Sequence, residues 1–116
     1  MNELAAYLNG EWIPNSEVKI HATDRGFLVG DTVFDVARTF NGKSFRMKEH
    51  VARLYRSLQY ARIDPGIDKD QMFLISEDAI KLNEPVVYGI PNGFHDFSRH
   101  LLVHTQDSLK MIWVTS

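Results

Sequence analysis

The stretch Thr32-Val33-Phe34-Asp35-Val36-Ala37-Arg38-Thr39-Phe40, followed by Asn41-Gly42, decides the fold of this chain. Its β-branched and aromatic residues are typical of a strand, in which alternate side chains share one face. Asn41-Gly42 is a strong signal for a tight turn. The sequence therefore predicts a strand, a turn and a short return strand from Lys43 to Arg46. The alternation places these residues on one face: Thr32, Phe34, Val36, Arg38 and Phe40.

Two amphipathic helices are predicted after this hairpin. From Met47 to Ile63 apolar residues recur at helical spacing, and Pro65-Gly66 ends the segment. Asp68 and Gln71 resemble a capping pair that opens a second helix, which is predicted to stop near residues 83–85. The apolar stripes are Met47, Val51, Leu54, Leu58 and Ala61 in the first helix and Met72, Ile75, Ala79 and Leu82 in the second.

The remaining segments are predicted from turn signals. Asn9-Gly10, within residues 5–13, predicts a first hairpin, and residues 18–20 predict a short extended piece before a bend at residues 24–26. Residues 86–108 are predicted to be mostly loop, with an extended segment at residues 86–88 as an alternative, and residues 110–115 are predicted to form a final strand. This order predicts an α+β fold, a mainly antiparallel sheet with two principal helices packed on one side.

Composition bounds the class of protein. The 116 residues, 44% apolar and 24% charged, are typical of one globular domain. The formal charge is -2 and neither sign forms a run, which argues against nucleic acid or a membrane surface as a partner. The chain has no cysteine, no basic leader followed by an apolar run and no stretch approaching about 18 apolar residues. We therefore expect a cytoplasmic protein.

Two stretches around the strand carry a family resemblance. Residues 24–35 read DRGFLVGDTVFD, and residues 45–54 read FRMKEHVARL. Together with residues 8–14, LNGEWIP, they closely resemble the fold-type IV, pyridoxal-phosphate-dependent aminotransferases over about residues 7–63. That family includes branched-chain and D-amino acid aminotransferases, (R)-selective amine transaminases and aminodeoxychorismate lyase. The resemblance implies that residues 1–116 form the small N-terminal domain of such an enzyme. The cofactor of the complete enzyme would be pyridoxal phosphate, not bound covalently by this chain, and the assembly a homodimer or higher self-association.

The resemblance also implies roles for four residues. Arg53 matches the arginine that binds the cofactor phosphate, a role that suits a permanently charged, bidentate donor. Phe34 and Arg38 match positions that line the substrate pocket, and Val29, which stands where many members have a tyrosine, is assigned to the same substrate-binding set. We expect Arg53, Phe34 and Arg38 to face the same side of the sheet. The alternatives are a solvated arginine for Arg53, a core aromatic for Phe34 and a sheet-face charge for Arg38.

The reaction that the family performs moves an amino group between an amino acid or amine and a 2-oxo acid. It needs a lysine bonded to the cofactor. The lysines of this chain match no such position, so no catalytic residue is assigned and we expect the chain alone to be inactive. These lysines are Lys19, Lys43, Lys48, Lys69, Lys81 and Lys110. A truncated frame, an excised domain and a stand-alone relative remain open, and the strand-like ending favours truncation. The other functional hypotheses are a non-catalytic association domain and a fragment similar to aminodeoxychorismate lyase.

Two groups of polar residues are weaker candidates for a functional site. His100 and His104 would suit a metal if they lay on a helix, but with His95 they are better explained as solvated histidines of a loop, so no metal is expected. Asp31 and Asp35 fall on the strand face opposite Phe34, where we expect turn and surface roles. Neither group predicts a catalytic site.

Overall fold

The computed structural model describes residues 3–40, 43–88, 98–104 and 110–115, with side chains described within 3–85. The described chain opens with a hairpin of β1 (Ala5–Leu8) and β2 (Glu11–Pro14). Leu8 pairs with Glu11, which leaves Asn9 and Gly10 as a two-residue turn with φ of 49° and 91°. Two positive φ angles are what the type I′ hairpin turn requires. The predicted hairpin is confirmed.

The segment that leads to the third strand is more helical than the sequence suggested. It contains a short 3-10 helix (Asn15–Glu17) and α1 (Arg25–Val29), and residues 18–20 are not part of a strand. The Asp24 side chain caps α1 by accepting from Gly26 N at 3.0 Å, and Gly30 ends it with φ of 69°. The predicted bend at residues 24–26 is therefore wrong, because a capping aspartate and a terminal glycine complete one helical turn.

The described residues form a sheet of six strands. They are β1, β2, β3 (Thr32–Phe40), β4 (Lys43–Ser44), β5 (Ser98–His104) and β6 (Lys110–Thr115), in the order β2-β1-β6-β5-β3-β4. Every neighbouring pair is antiparallel. The bounds predicted for β3 and β6 are confirmed, whereas β4 stops two residues early because Arg46 takes a left-handed φ of 54° before the next helix.

Strand β5 corrects the loop predicted for residues 86–108. It lies between β3 and β6 and pairs with β3 from Arg38↔Ser98 to Thr32↔His104. His100 and His104 are therefore strand residues rather than members of a loop, while His95 lies outside the described residues. The pairing partners are distant in sequence, which is why no local pattern revealed them.

Two helices cover one face of the sheet, α2 (Met47–Ala61) and α3 (Lys69–Tyr88). Asp68 and Gln71 cap α3 reciprocally, with Gln71 N donating to Asp68 Oδ1 at 2.8 Å and Asp68 N to Gln71 Oε1 at 3.2 Å. This confirms the capping pair. The predicted stop near residues 83–85 is wrong, as is the extended alternative for residues 86–88, because α3 continues through Pro85 to Tyr88.

The side chain of Asn83 explains much of the difference between the predicted and observed ends of α3. This side chain is fully buried and bonds to both backbone groups of Ala5, accepting from Ala5 N at 2.7 Å and donating to Ala5 O at 3.1 Å. These bonds tie the last turns of α3 to β1, so tertiary contact outweighs the local effect of proline. Leu82, predicted to be buried, is half exposed instead.

The core lies between the sheet and both helices. The α2 stripe is confirmed, and the predicted α+β fold with helices on one side is correct. The buried cluster consists of Ala37, Met47, Val51, Leu54, Leu58, Ile63, Met72, Ala79 and Ile80. Among the described residues, no helix is long and apolar enough to cross a membrane.

Candidate functional site

A buried carboxylate joins strand β3 to the first long helix. Asp35 points from β3 toward α2, and its side chain is only 4% exposed. Its Oδ2 accepts from Arg53 Nε at 2.7 Å, and its Oδ1 accepts from Arg53 Nη2 and His50 Nδ1, both at 2.8 Å. His50 and Arg53 stand three residues apart on α2, so they lie on neighbouring turns of the same helix face. We call Asp35, His50 and Arg53 the Asp35 cluster.

The cluster is a charge-assisted network. Burial raises the pKa of the Asp35 carboxyl, but hydrogen bonds and charge from Arg53 and His50 outweigh it, and the pKa lies below the ordinary value of 3.8. The bond to Asp35 raises the pKa of Arg53 above its ordinary value. Because a carboxylate only accepts, His50 Nδ1 carries the proton in this arrangement. Asp35 is therefore an anion and Arg53 a cation at neutral pH.

The Arg53 side chain is fixed in orientation and yet exposed. The side chain is 59% exposed although two of its nitrogens are bound to a buried carboxylate. The two parallel bonds fix the plane of the guanidinium, and Nη1 takes no part in them. Arg53 is thus neither a core residue nor a loosely solvated arginine. It can present a fixed, charged edge to an anion.

The opposite face of β3 carries Phe34, Arg38 and Phe40, all exposed. Phe34 is 62% exposed, so its alternative as a core aromatic is wrong. The Arg38 guanidinium lies 5.9 Å from the centre of the Phe40 ring, and Phe40 packs edge-on against Phe45 at 5.3 Å. The predicted shared face of Phe34 and Arg38 is confirmed. This face offers apolar surface beside a cation.

Val29 belongs to a third surface, next to the start of β3. It ends α1, where Phe27, Leu28 and Val29 are three consecutive exposed apolar residues. Arg25 Nε donates to Asp31 Oδ2 at 3.2 Å and links the start of α1 to the residue before β3. Asp31 thus has the turn role expected of it.

Two expectations need correction. Asp35 is buried and paired, not a surface residue, because the helix face of β3 is the core face. For the same reason Arg53 does not share a side of the sheet with Phe34 and Arg38. The sequence did contain the missing signal: alternation turned Asp35 toward α2, while His50 and Arg53 bordered the apolar stripe of that helix. A buried carboxylate needs such partners.

The two faces meet at an edge of the sheet. Within the described residues, Thr32 to Arg38 pair with β5 on one side, whereas β4 pairs only with Thr39 and Phe40 on the other. In the part of the chain that is described, residues 32–38 of β3 therefore form a sheet edge. A ligand lying across this edge would have Arg53 on one face and Phe34 on the other.

Metal chemistry finds no support in the described side chains. No three histidine, aspartate or glutamate residues among them are placed together to hold a metal ion.

Known proteins resemble both the sequence and the fold. A family profile described as "Amino-transferase class IV" matches residues 32–106. A putative branched-chain-amino-acid aminotransferase of Methanocaldococcus jannaschii is 35% identical over 77 residues, covering 66% of this chain and 27% of that protein. A D-alanine aminotransferase of Staphylococcus aureus is 32% identical over 78 residues, covering 67% of this chain and 28% of that protein.

Solved structures extend the likeness to nearly the whole chain. The branched-chain amino acid aminotransferase of Escherichia coli has a TM-score of 0.80 at 19% identity, covering 97% of this chain and 40% of that one. The branched-chain aminotransferase of Thermoproteus uzoniensis, solved with norvaline, has a TM-score of 0.78 at 17% identity, with the same coverage. At such identities the likeness is one of fold. The chain thus spans just over a quarter of the curated relatives and two fifths of these structures.

Proposed function

The chain belongs to the class IV aminotransferase family, and from this premise we propose that it is the small N-terminal domain of a pyridoxal-phosphate-dependent aminotransferase. The reaction would transfer an amino group between an amino acid or amine and a 2-oxo acid. Relatives described as branched-chain and D-alanine aminotransferases support the reaction class. We propose no amino donor, since those names differ in both substrate and stereochemistry.

The observation that carries the proposal is the exposed, oriented guanidinium of Arg53. The phosphate of pyridoxal phosphate is a dianion at neutral pH, and bidentate arginine contacts suit it. The residue fits this group because Asp35 fixes its plane while 59% of the side chain stays accessible. When bound, the cofactor supplies an electron sink for negative charge on the substrate carbon. Arg53 would hold and orient the phosphate end.

The other face of β3 is proposed to receive the substrate. Arg38 would take a substrate carboxylate, and Phe34 and Val29 would contact its side chain. These roles are supported by the exposure of all three residues and by the open edge of β3, across which both faces can be reached. Phe34 and Val29 would also exclude water from the reacting atoms.

We propose further that the 116-residue chain alone does not turn over substrate. No lysine of the chain matches a cofactor lysine. Five of them are exposed surface residues, namely Lys19, Lys43, Lys48, Lys69 and Lys81. Self-association as a homodimer belongs to the same proposal, because the exposed apolar residues of α1 and β3 need a cover. So does a cytoplasmic location, which the lack of cysteine favours. Measurable transfer from an amine to a 2-oxo acid by the purified chain with added pyridoxal phosphate would refute inactivity.

A non-catalytic association domain is the second candidate. The same exposed apolar residues support it, and it differs in not needing Arg53. A hybrid protein, in which this chain replaces the matching segment of a class IV aminotransferase, separates the two. We expect Arg53→Ala in the hybrid to weaken pyridoxal phosphate binding by about tenfold to a hundredfold, the usual size of a lost charge-assisted bond. Arg56→Ala, an exposed arginine of the same helix, is the matched control. Equal affinities for both variants would favour the association domain.

A further inference from the structure

We propose that Asp35 is a positioning residue that sets the guanidinium of Arg53 for anion binding, an inference that rests on the proposed phosphate contact of Arg53. Asp35 cannot itself meet an anion, because it is buried and negatively charged. Its two oxygens instead occupy Nε and Nη2 of Arg53. The edge that remains is the one an incoming anion would use.

The need for positioning follows from where Arg53 stands. A long side chain on an exposed helix face samples many rotamers, and ordering it on binding lowers affinity. Asp35 is anchored in the middle of a strand whose residues 32–38 are paired with β5. The carboxylate is therefore a fixed point of the sheet, and two parallel bonds transfer that rigidity to Arg53.

His50 strengthens the same arrangement. Its Nδ1 donates to Asp35 Oδ1, the oxygen that also accepts from Arg53 Nη2. His50 Nδ1 also lies 3.2 Å from Arg53 Nη2, so the two donors stand side by side at the same carboxylate oxygen. The Asp35 carboxylate is therefore bonded to two residues of α2, His50 and Arg53, rather than to one.

Positioning and plain electrostatics predict opposite outcomes, which makes the inference testable. Removing the negative charge of Asp35 makes the surroundings of Arg53 more positive. If only Coulomb attraction mattered, phosphate would then bind more tightly. If Asp35 acts by holding Arg53, its removal weakens binding despite the gain in positive charge. The sign of the change in affinity decides between the two.

The experiment uses the 116-residue chain and inorganic phosphate as the probe. Nitrogen-edited NMR follows the Nε–H signal of Arg53 while phosphate is titrated into the wild type, Asp35→Asn and Asp31→Asn. The asparagine presents an N–H₂ where the carboxylate accepted, so at least one bond to Arg53 is lost. We expect Asp35→Asn to broaden the Nε–H signal by solvent exchange and to bind phosphate about threefold to tenfold more weakly, the cost of ordering one long side chain.

Asp31→Asn is the matched control because it removes one carboxylate charge from the same segment and keeps the Asp35 carboxylate that bonds to Arg53 and His50. It should bind phosphate as the wild type does or slightly more tightly. Unchanged or tighter binding by folded Asp35→Asn overturns the positioning role. Should that variant not fold, Asp35→Glu displaces the carboxylate by one methylene, and an unaltered Nε–H signal and affinity in it overturn the role equally.

Arg53→Ala distinguishes this inference from the proposed function. If phosphate affinity is the same in Arg53→Ala and the wild type, the phosphate contact fails and the positioning role falls with it. If Arg53→Ala weakens binding while Asp35→Asn does not, only the positioning role fails. Weaker binding in both variants, with Asp31→Asn unaffected, supports both.

Discussion

Phe34 and Asp35 are consecutive residues of β3 that lie in opposite environments, Phe34 62% exposed and Asp35 5% exposed. The strand therefore separates two kinds of chemistry by a single residue. On the helix face Asp35 organises Arg53, and on the open face Phe34 stands four residues before Arg38. A site that uses both must lie across the edge of the sheet, not on one of its faces.

Removing the buried carboxylate should destabilise the fold. Asp35→Ala removes three hydrogen bonds, but the Arg53 side chain is exposed and water can solvate it, so the loss is discounted. We expect the free energy of unfolding to fall by about 1–2 kcal/mol. Urea denaturation measures it, with Asp31→Ala as the partly exposed control, expected to change stability by less than about 0.5 kcal/mol. Equal losses in both variants would contradict a special role for the cluster.

Acid should act through the same residue. The pKa of Asp35 is lowered in the folded state, so its contribution to stability is present above the unfolded pKa near 3.8 and is lost as the pH falls through the lower folded value. Between about pH 6 and pH 3, we expect the wild type to lose more stability than Asp35→Asn, which has no carboxyl to protonate. Urea midpoints at several pH values test this. Parallel pH profiles would show that Asp35 is not preferentially ionised in the fold.

Short-range patterns predicted much of the fold. The Asn9-Gly10 turn, the bounds of β3 and the Asp68–Gln71 cap each depend on residues within a few positions of one another. In these cases propensity, turn chemistry and burial act in the same direction, and the predictions were correct.

What the sequence left out depends on distant partners. Strand β5 is defined by pairing with β3 and β6, and the end of α3 by the bonds of Asn83 to Ala5, 78 residues away. The candidate site shows the same division. Alternation placed Phe34 and Arg38 on one face, but the burial of Asp35 depended on α2 packing against the other. A resemblance in motifs indicated Arg53 without indicating which side of the sheet it occupies.

The bonds between Asn83 and Ala5 give a prediction about stability. Asn83→Leu keeps the same branching of side-chain heavy atoms but leaves the N–H and C=O of Ala5 without these side-chain partners. Unpaired buried polar groups cost roughly 1–3 kcal/mol each, so we expect a loss of about 2–4 kcal/mol in the free energy of unfolding. Leu82→Ala, at the adjacent half-exposed position, should lose about 1 kcal/mol or less. A loss in Asn83→Leu no larger than that control would mean that water replaces the amide.

Tyr55 should be visible in alkaline titration. Burial, followed by the charges of Asp68 and Asp64, raises the pKa of the Tyr55 phenol to about 12, and its hydroxyl donates to Ile67 O at 2.6 Å. A raised pKa stabilises the fold below the unfolded value near 10, and this contribution is lost as the pH rises toward 12. We expect Tyr55→Phe to cost about 1 kcal/mol at pH 8. Wild type minus Tyr55→Phe difference spectra in the near ultraviolet should show late ionisation, whereas ionisation near pH 10 would contradict the burial.

Self-association, if the exposed apolar residues drive it, should depend on α1 and not on apolar exposure in general. Leu28 on α1 and Leu74 on α3 are both 59% exposed, so serine at either position removes a comparable apolar surface from water contact. Burying a leucine side chain contributes roughly 1.5–3 kcal/mol, and a partly buried contact contributes less, so we expect Leu28→Ser to raise the dimer dissociation constant on the order of tenfold. Leu74→Ser should leave the constant unchanged, because α3 lies on the helix side of the sheet, away from the open face that carries Phe34. Sedimentation equilibrium across a range of concentrations measures both constants against the wild type. A wild-type chain that stays monomeric, or two serine variants that weaken association equally, would remove α1 from the interface.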